Sequence, residues 1–135
     1  MFRVNGFRQA LDEAGLRPAR EIAVPFSYNP TLNAYRQMRR LLQEEALPFD
    51  ALACETDEHA LGSIAAFEDE GIQVPEQVAV TGFDDLPLLA ENLTTVRQDI
   101  PQLAVEAVRL LGDAIAGTEP YQILMPVELV LRRTT

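Results

Sequence analysis

Residues 78–98, VAVTGFDDLPLLAENLTTVRQ, constrain the fold of this chain more than any other stretch. An apolar β-branched run containing Val78 and Val80 stops at Gly82, and two carboxylates, Asp84 and Asp85, follow at once. A turn region then leads into a second β-rich run, Thr94-Thr95-Val96. Strands of a parallel sheet end in this way where the chain builds a polar pocket at the carboxyl edge of the sheet.

The rest of the chain alternates helix with strand. Phe7, Ala10, Leu11 and Ala14 recur at helical spacing over 3–14, with Gly15 as a stop. A short strand is expected over 21–26 after Pro18. Asn29-Pro30 opens a helix as an Asn cap with Pro at the first helical position, running to about residue 46 with Tyr35, Met38, Leu41 and Leu42 inward. Strand 49–54 follows, then helix 58–70, which Asp57 can cap and Gly71 closes. Strand 77–81, the extended segment 94–97, a helix over about 101–116 and one or two terminal strands within 123–131 complete the pattern. Strands alternating with helices make this an α/β protein with a parallel sheet flanked by helices.

One element does not balance. In the 101–116 helix, Leu103, Ala104, Val105, Ala107, Val108, Leu110, Leu111, Ala114 and Ile115 leave only a thin polar stripe. A helix apolar on most sides must be buried on most sides. The other short strands and helices already need one another as cover, so this helix is expected to pack on something the chain lacks, or on a second copy.

Composition narrows the function. The length of 135 residues suits one domain, and 47% hydrophobic with 24% charged residues is ordinary for a globular protein. No apolar run approaches the roughly 20 residues that span a bilayer. No basic stretch followed by an apolar one opens the chain, and the single Cys54 suits a reducing compartment, so a cytoplasmic location and no membrane partner are expected. The net charge of −10 repels phosphate, so DNA should be held only through a domain absent from this chain. Arg36, Arg39 and Arg40 read as a solvated helix face, and Arg132 and Arg133 as a polar chain end.

Three strand ends carry polar or aromatic residues: Phe26 with Ser27, then Glu55-Thr56-Asp57, then Asp84-Asp85. In an open parallel sheet these ends share one edge, so the groups converge. Asp84 is the best candidate for direct ligand contact, because a carboxylate accepts from two neighbouring hydroxyls at once. It reads equally well as a turn residue capping local backbone N–H groups; for Asp85 the turn role is preferred. No catalytic or metal site and no cofactor is expected. His59 stands alone on a helix, Cys54 reads as a small core residue, and neither a phosphate loop nor a nucleophile elbow is present. Receiver-type phosphorylation would need an acidic pair at the first strand, and here the pair falls late.

The segments RVNGFRQALDEAGL (3–16), FDALACETDEHALGSIAAF (49–67), GIQVPEQVAVTGFDD (71–85) and LTTVRQ (93–98), with the ending PVELVLRRTT, resemble the effector-binding domains of the lactose/galactose-repressor family of bacterial transcriptional regulators. The resemblance covers nearly the whole chain and implies a type I periplasmic-binding-protein-like fold, in which two α/β lobes enclose a small ligand. It carries ligand roles to Arg3, Asp84 and Gln98, to Phe26 as a stacking aromatic, and to Thr56, which stands where the family has a pocket asparagine and so offers a shorter group. The connection 86–92 is shorter than the family's.

The resemblance further implies that the DNA-binding region and most of the N-terminal lobe would precede Arg3. The chain is then expected to be a C-terminal portion of the sensing domain: one lobe over about 1–98 and 119–135, and a helix over about 100–117 that packs on the absent lobe or a second chain. The expected function is ligand sensing by a non-enzymatic, homo-oligomeric regulator segment that binds a sugar-like or other polar metabolite. The alternatives are the same sensor joined to a signalling enzyme, a periplasmic solute-binding protein, and, from a different class, a small α/β hydrolase or transferase using Asp84 and Asp57.

Overall fold

The computed structural model describes residues 2–44, 47–87 and 91–135. Among the described residues, four helices and four strands follow one another in the order α1 (Phe2–Glu13), α2 (Pro30–Glu44), β1 (Ala51–Ala53), α3 (Asp57–Asp69), β2 (Ala79–Thr81), β3 (Thr95–Gln98), α4 (Ile100–Ile115) and β4 (Val127–Val130). The helix starts follow local chemistry. Asn29 Oδ1 accepts from the Leu32 N–H, Thr56 caps α3 and Asp99 caps α4. The end of the second helix as read from sequence, at 45–46, and residues 88–90 of the short 86–92 connection lie outside the described residues.

β1 and β2 pair in parallel, Ala51 opposite Ala79 and Ala53 opposite Thr81. β3 and β4 pair antiparallel, Thr95 opposite Val130 and Gln98 opposite Val127. The two pairs join into one surface through parallel bridges at Thr81–Thr94 and Asp84–Arg97. The chain end seals the seam. The Val80 N–H donates to the Thr134 carbonyl (2.7 Å), while the Thr134 hydroxyl donates to the Val80 carbonyl (2.7 Å) and accepts from the Thr94 N–H (2.9 Å). A central strand edge with unpaired backbone groups would be costly in a buried setting, and a single buried threonine satisfies three of them.

The core lies between this sheet and the α2–α3 pair. Met38, Leu41, Ala60, Ala66, Phe67, Val78, Val80 and Leu93 are buried, with Tyr35, Leu42, Phe49 and Ile64 packed around them. Phe49 meets Phe67 edge to face, ring centroids 6.5 Å apart. Helices α2 and α3 cross closely because Gly62 carries no side chain: a Cβ there would run into the Thr31 carbonyl and the Ala34 methyl.

Three expectations are corrected. Residues 21–26 form no strand. Ile22 and Val24 are half-buried and Ala23 exposed, so the burial alternation is present, but strand formation also needs a backbone partner, and Pro25 lacks the N–H to supply one side of a ladder. Instead Glu21 takes a bidentate ion pair from Arg8 (2.7 and 2.6 Å), and the Pro25 carbonyl accepts from Asn33. The inward face expected for α1 is largely open, with Phe7 47% exposed. Arg132 is no loose polar chain end: it is half-buried and tied to Asp85 and to the Leu93 carbonyl.

The close crossing at Gly62 generates a test. Gly62→Ala should destabilise the chain by about 1–3 kcal/mol, since the helices must separate to admit the methyl group. Chemical denaturation measures it; unchanged stability would mean that α2 and α3 are not held at this distance.

Candidate functional site

The carboxyl edge of the sheet gathers most of the residues that sequence reasoning singled out. Asp84 follows β2 in a turn, Gln98 ends β3, Thr56 starts α3, and Arg3 lies in the first turn of α1. The Gln98 amide donates to Asp84 Oδ1 (2.7 Å), and Arg3 Nη2 stands 3.6 Å from the same oxygen. Arg3 Nη1 donates to the Glu55 carbonyl (2.9 Å), and its guanidinium lies over the Phe83 ring, 4.0 Å from the centroid. That stacking holds the arginine flat against the edge, at a favourable distance for a cation over an aromatic face. Thr56 is adjacent, and its hydroxyl oxygen is occupied as the α3 cap, accepting from the His59 N–H at 3.3 Å. Phe26 is not drawn in: it lies on the loop between α1 and α2, 96% exposed.

The Asp84-Asp85 turn is conformationally unusual. Asp84 has φ 113° and Asp85 φ 55°, both in territory that residues with a Cβ rarely occupy, at a cost of order 1–3 kcal/mol each. Surrounding bonds impose it. The Gly82 N–H donates to the Thr94 carbonyl and the Asp84 N–H to the Val96 carbonyl, both at 2.9 Å, so the segment runs alongside β3 and then turns. The twist sends the two adjacent carboxylates to different neighbours.

Those neighbours treat them oppositely. Burial pushes the Asp84 carboxyl above its ordinary value, Arg3 pulls it back, and the nearby Asp57 raises it again. Burial also pushes Asp85 up, but hydrogen bonds from Arg97 and Arg132 outweigh it and leave Asp85 below the usual carboxylate range. Arg97 Nε and Arg132 Nη2 both stand 2.6 Å from Asp85, and Arg97 also reaches Glu128 on β4 at 3.3 Å. Asp85 is thus an ion-pair hub, not the backbone-capping turn residue expected for it.

Asp57 was read from sequence as a helix cap. Thr56 takes the capping position instead, and Asp57, fully buried at the first residue of α3, turns inward. Its Oδ1 accepts from the Thr95 hydroxyl (2.5 Å) and its Oδ2 from the Leu86 N–H (2.7 Å), while its own N–H donates to the Phe83 carbonyl (2.9 Å). The carboxyl fits only because Gly82 is bare; a Cβ there would overlap Asp57 Oδ1. The sequence signal for this packing is the glycine closing an apolar strand just before the acidic pair. Elsewhere, burial pushes the Cys54 thiol up to about 12, which keeps it protonated and unreactive at neutral pH. Among the described residues no group of three His, Cys, Asp or Glu is placed to hold a metal ion, and no helix is long and apolar enough to cross a membrane.

Known proteins share this arrangement of elements. Residues 2–135 match the model of the family described as periplasmic binding protein-like domain. The chain is 34% identical over 140 residues to the HTH-type transcriptional repressor PurR of Haemophilus influenzae (strain PittEE), covering 98% of this chain and 41% of that protein. Against the repressor of the same name from Pasteurella multocida (strain Pm70) it is 33% identical over 137 residues, covering 98% and 40%. Of solved structures, the lac repressor dimer bound to operator and the anti-inducer ONPF superposes with a TM-score of 0.86 at 29% identity, over 98% of this chain and 46% of that one. The transcriptional regulator CelR in complex with cellobiose superposes with a TM-score of 0.84 at 31% identity, over 98% and 42%. The chain therefore spans about 41% of the length of the first of these repressors. With the whole described sheet and its helices inside the match, this chain belongs to the periplasmic binding protein-like domain family.

Proposed function

We propose that this chain is the effector-sensing segment of a bacterial transcriptional regulator, without enzymatic activity of its own and working in the cytoplasm. It binds a small polar molecule, a sugar or nucleoside-like compound, and alters DNA binding by a separate part of the protein. The observation that carries the reading is the meeting of Arg3 and Gln98 on one oxygen of Asp84 at the carboxyl edge of the sheet. Such a carboxylate accepts paired hydroxyls, and an arginine beside it donates to the ligand's oxygens. The relatives support the setting, being transcriptional repressors, one of them solved with operator, and a transcriptional regulator solved with cellobiose. In this reading Thr56 and Phe26 complete the pocket, Phe26 by covering a ligand ring when ordered against it.

The same reading divides the chain into a lobe over about 1–98 and 119–135 and a helix belonging to another body. None of the α4 residues is buried, and Val105, Val108, Leu111 and Ile115 are each more than half exposed. An exposed apolar stripe of this length marks an interface. Covering it with a partner lobe, or with the α4 of a second copy, stabilises by about 25 cal/mol per Å² of apolar area removed from water. With a net charge of −10, the covering partner is not nucleic acid.

Three expected outcomes test the proposal. Titration calorimetry against a panel of mono- and disaccharides and nucleosides should find a ligand, and Asp84→Ala should weaken it by roughly 1–3 kcal/mol while the chain still folds and melts cooperatively. Equal affinity in the variant removes Asp84 from the site.

The second outcome is in the pH dependence. Asp84, raised in the folded chain, costs stability while ionised, and that cost vanishes as pH falls. Asp85, lowered, contributes stability above its ordinary range that is lost as pH falls through its folded value. Carbon-detected carboxyl NMR should therefore show Asp84 titrating above, and Asp85 below, the ordinary value of about 3.9; the reverse order contradicts the site geometry. Because binding uses the ionised Asp84, affinity should fall as pH drops through its raised value.

Third, the chain should self-associate in sedimentation experiments. Val108→Glu combined with Leu111→Glu should then give a monomer or an insoluble protein. A well-behaved monomer of the unaltered chain shows that α4 does not seek a partner.

A further inference from the structure

We infer that Asp57 is the positioning residue for Asp84: its buried carboxyl locks the 82–86 turn to β3 and to the start of α3, so that Asp84 is held between Arg3 and Gln98. The inference rests on the reading of Asp84 as the ligand group.

Three observations converge on it. Asp57 is fully buried, yet it makes no ion pair among the described residues; both its oxygens are spent on the turn and on β3, through the Leu86 N–H at 2.7 Å and the Thr95 hydroxyl at 2.5 Å. Its backbone N–H reaches the Phe83 carbonyl at 2.9 Å, so the residues just before Asp84 and just after Asp85 are gripped by one amino acid. Finally, Gly82 leaves room only for this carboxyl, since any side chain there would displace it. The strained φ values of Asp84 and Asp85 lie between these two grips. Strain of that kind persists only where the surroundings over-determine it. Three of the segments that carry proposed ligand groups are tied to this residue: the start of α3, where Thr56 precedes it as the cap, the turn with Asp84, and β3, which runs from Thr95 to Gln98.

A purely architectural carboxyl would stabilise the whole chain alike. A positioning carboxyl acts on the turn first, so the test compares local with global effects and needs no ligand. Hydrogen exchange by NMR on this chain supplies both. The amides of Asp84 and Leu86 report the turn, and the Val80 amide, bonded to Thr134 at the centre of the sheet, reports the whole. Asp57→Asn keeps the shape but turns one acceptor into a donor, and Thr95→Val removes the hydroxyl while keeping the volume. Either variant should speed exchange at Asp84 and Leu86 at least tenfold more than at Val80, and Thr95→Ser should restore the native pattern. Asp57→Asn should also lower the titration of Asp84, whose charged neighbours are Arg3 from α1 and Asp57 and Glu58 from α3. Equal acceleration at all three amides, or none, overturns the assignment. If Asp57→Asn does not fold, Thr95→Val alone decides, because Leu86 still holds one oxygen. Failure of the ligand reading is separate: it would appear as unchanged affinity in Asp84→Ala while the exchange pattern stands.

Discussion

The structure depends on a close approach between a bare backbone and a buried acid. Gly82 ends β2 without a side chain, and Asp57 occupies the space that a Cβ would need. Burying a carboxyl is expensive unless its oxygens are hydrogen-bonded, and here both are. Once that carboxyl is in place, the turn after β2 can go only one way, alongside β3 for two hydrogen bonds and then back over the start of α3. The acidic turn, β3 and the start of α3 meet at this contact.

That contact explains how two neighbouring aspartates do different work. In an ordinary turn both would face water with similar affinities for a proton. Twisting the backbone through positive φ points Asp84 toward Arg3 and Gln98, and Asp85 toward Arg97 and Arg132. Asp85 satisfies two arginines and ties the turn to β4 through Arg97 and Glu128. Asp84, which among the described residues has an ion pair at 3.6 Å and one amide as its side-chain partners, keeps acceptor capacity in reserve. A group that is partly desolvated but incompletely paired is what a polar ligand can complete, whereas a fully paired carboxylate offers nothing more.

Much of this was legible in the sequence, and the limits have physical causes. The helix start at Asn29-Pro30 and the inner face of α2 follow from local rules, because capping and periodicity are local; of the three strand ends expected to converge, those at 55–57 and 84–85 do, while Phe26 ends no strand and stays apart. Asp84 was reached from its place at a strand end, Arg3 and Gln98 from the family resemblance, and the structure brings the three together. The segment 21–26 was misread because alternation describes side chains while strands are made by backbone pairing. Asp57 and Arg132 were misread because a residue's local role says nothing about a partner 38 or 47 positions away: Thr95 for the one, Asp85 for the other. An N-terminal aspartate in a helix has two chemically reasonable fates, capping or burial, and only the distant glycine decides between them.

The unburied helix bears on how a signal could leave the site. β3 runs out of the sheet at Gln98 and β4 returns antiparallel beside it at Val127, so residues 99–126 form an excursion with both ends at the same edge. Helix α4 is carried on that excursion, and β4 exposes Val127 and Leu129, with Leu131 exposed just beyond it. A body that covered α4 would sit on a segment whose two ends join those strands. Those strand ends hold Gln98, which donates to Asp84, and Arg97 with Glu128, which lead to Asp85. In the proposed sensor, a ligand that prefers one placement of Asp84 would favour one placement of the covering body, and the reverse must hold with equal free energy. The ion pairs at Asp85 suit this arrangement, since through Arg97 and Arg132 they link the turn beside Asp84 to β3 and to the segment that follows β4.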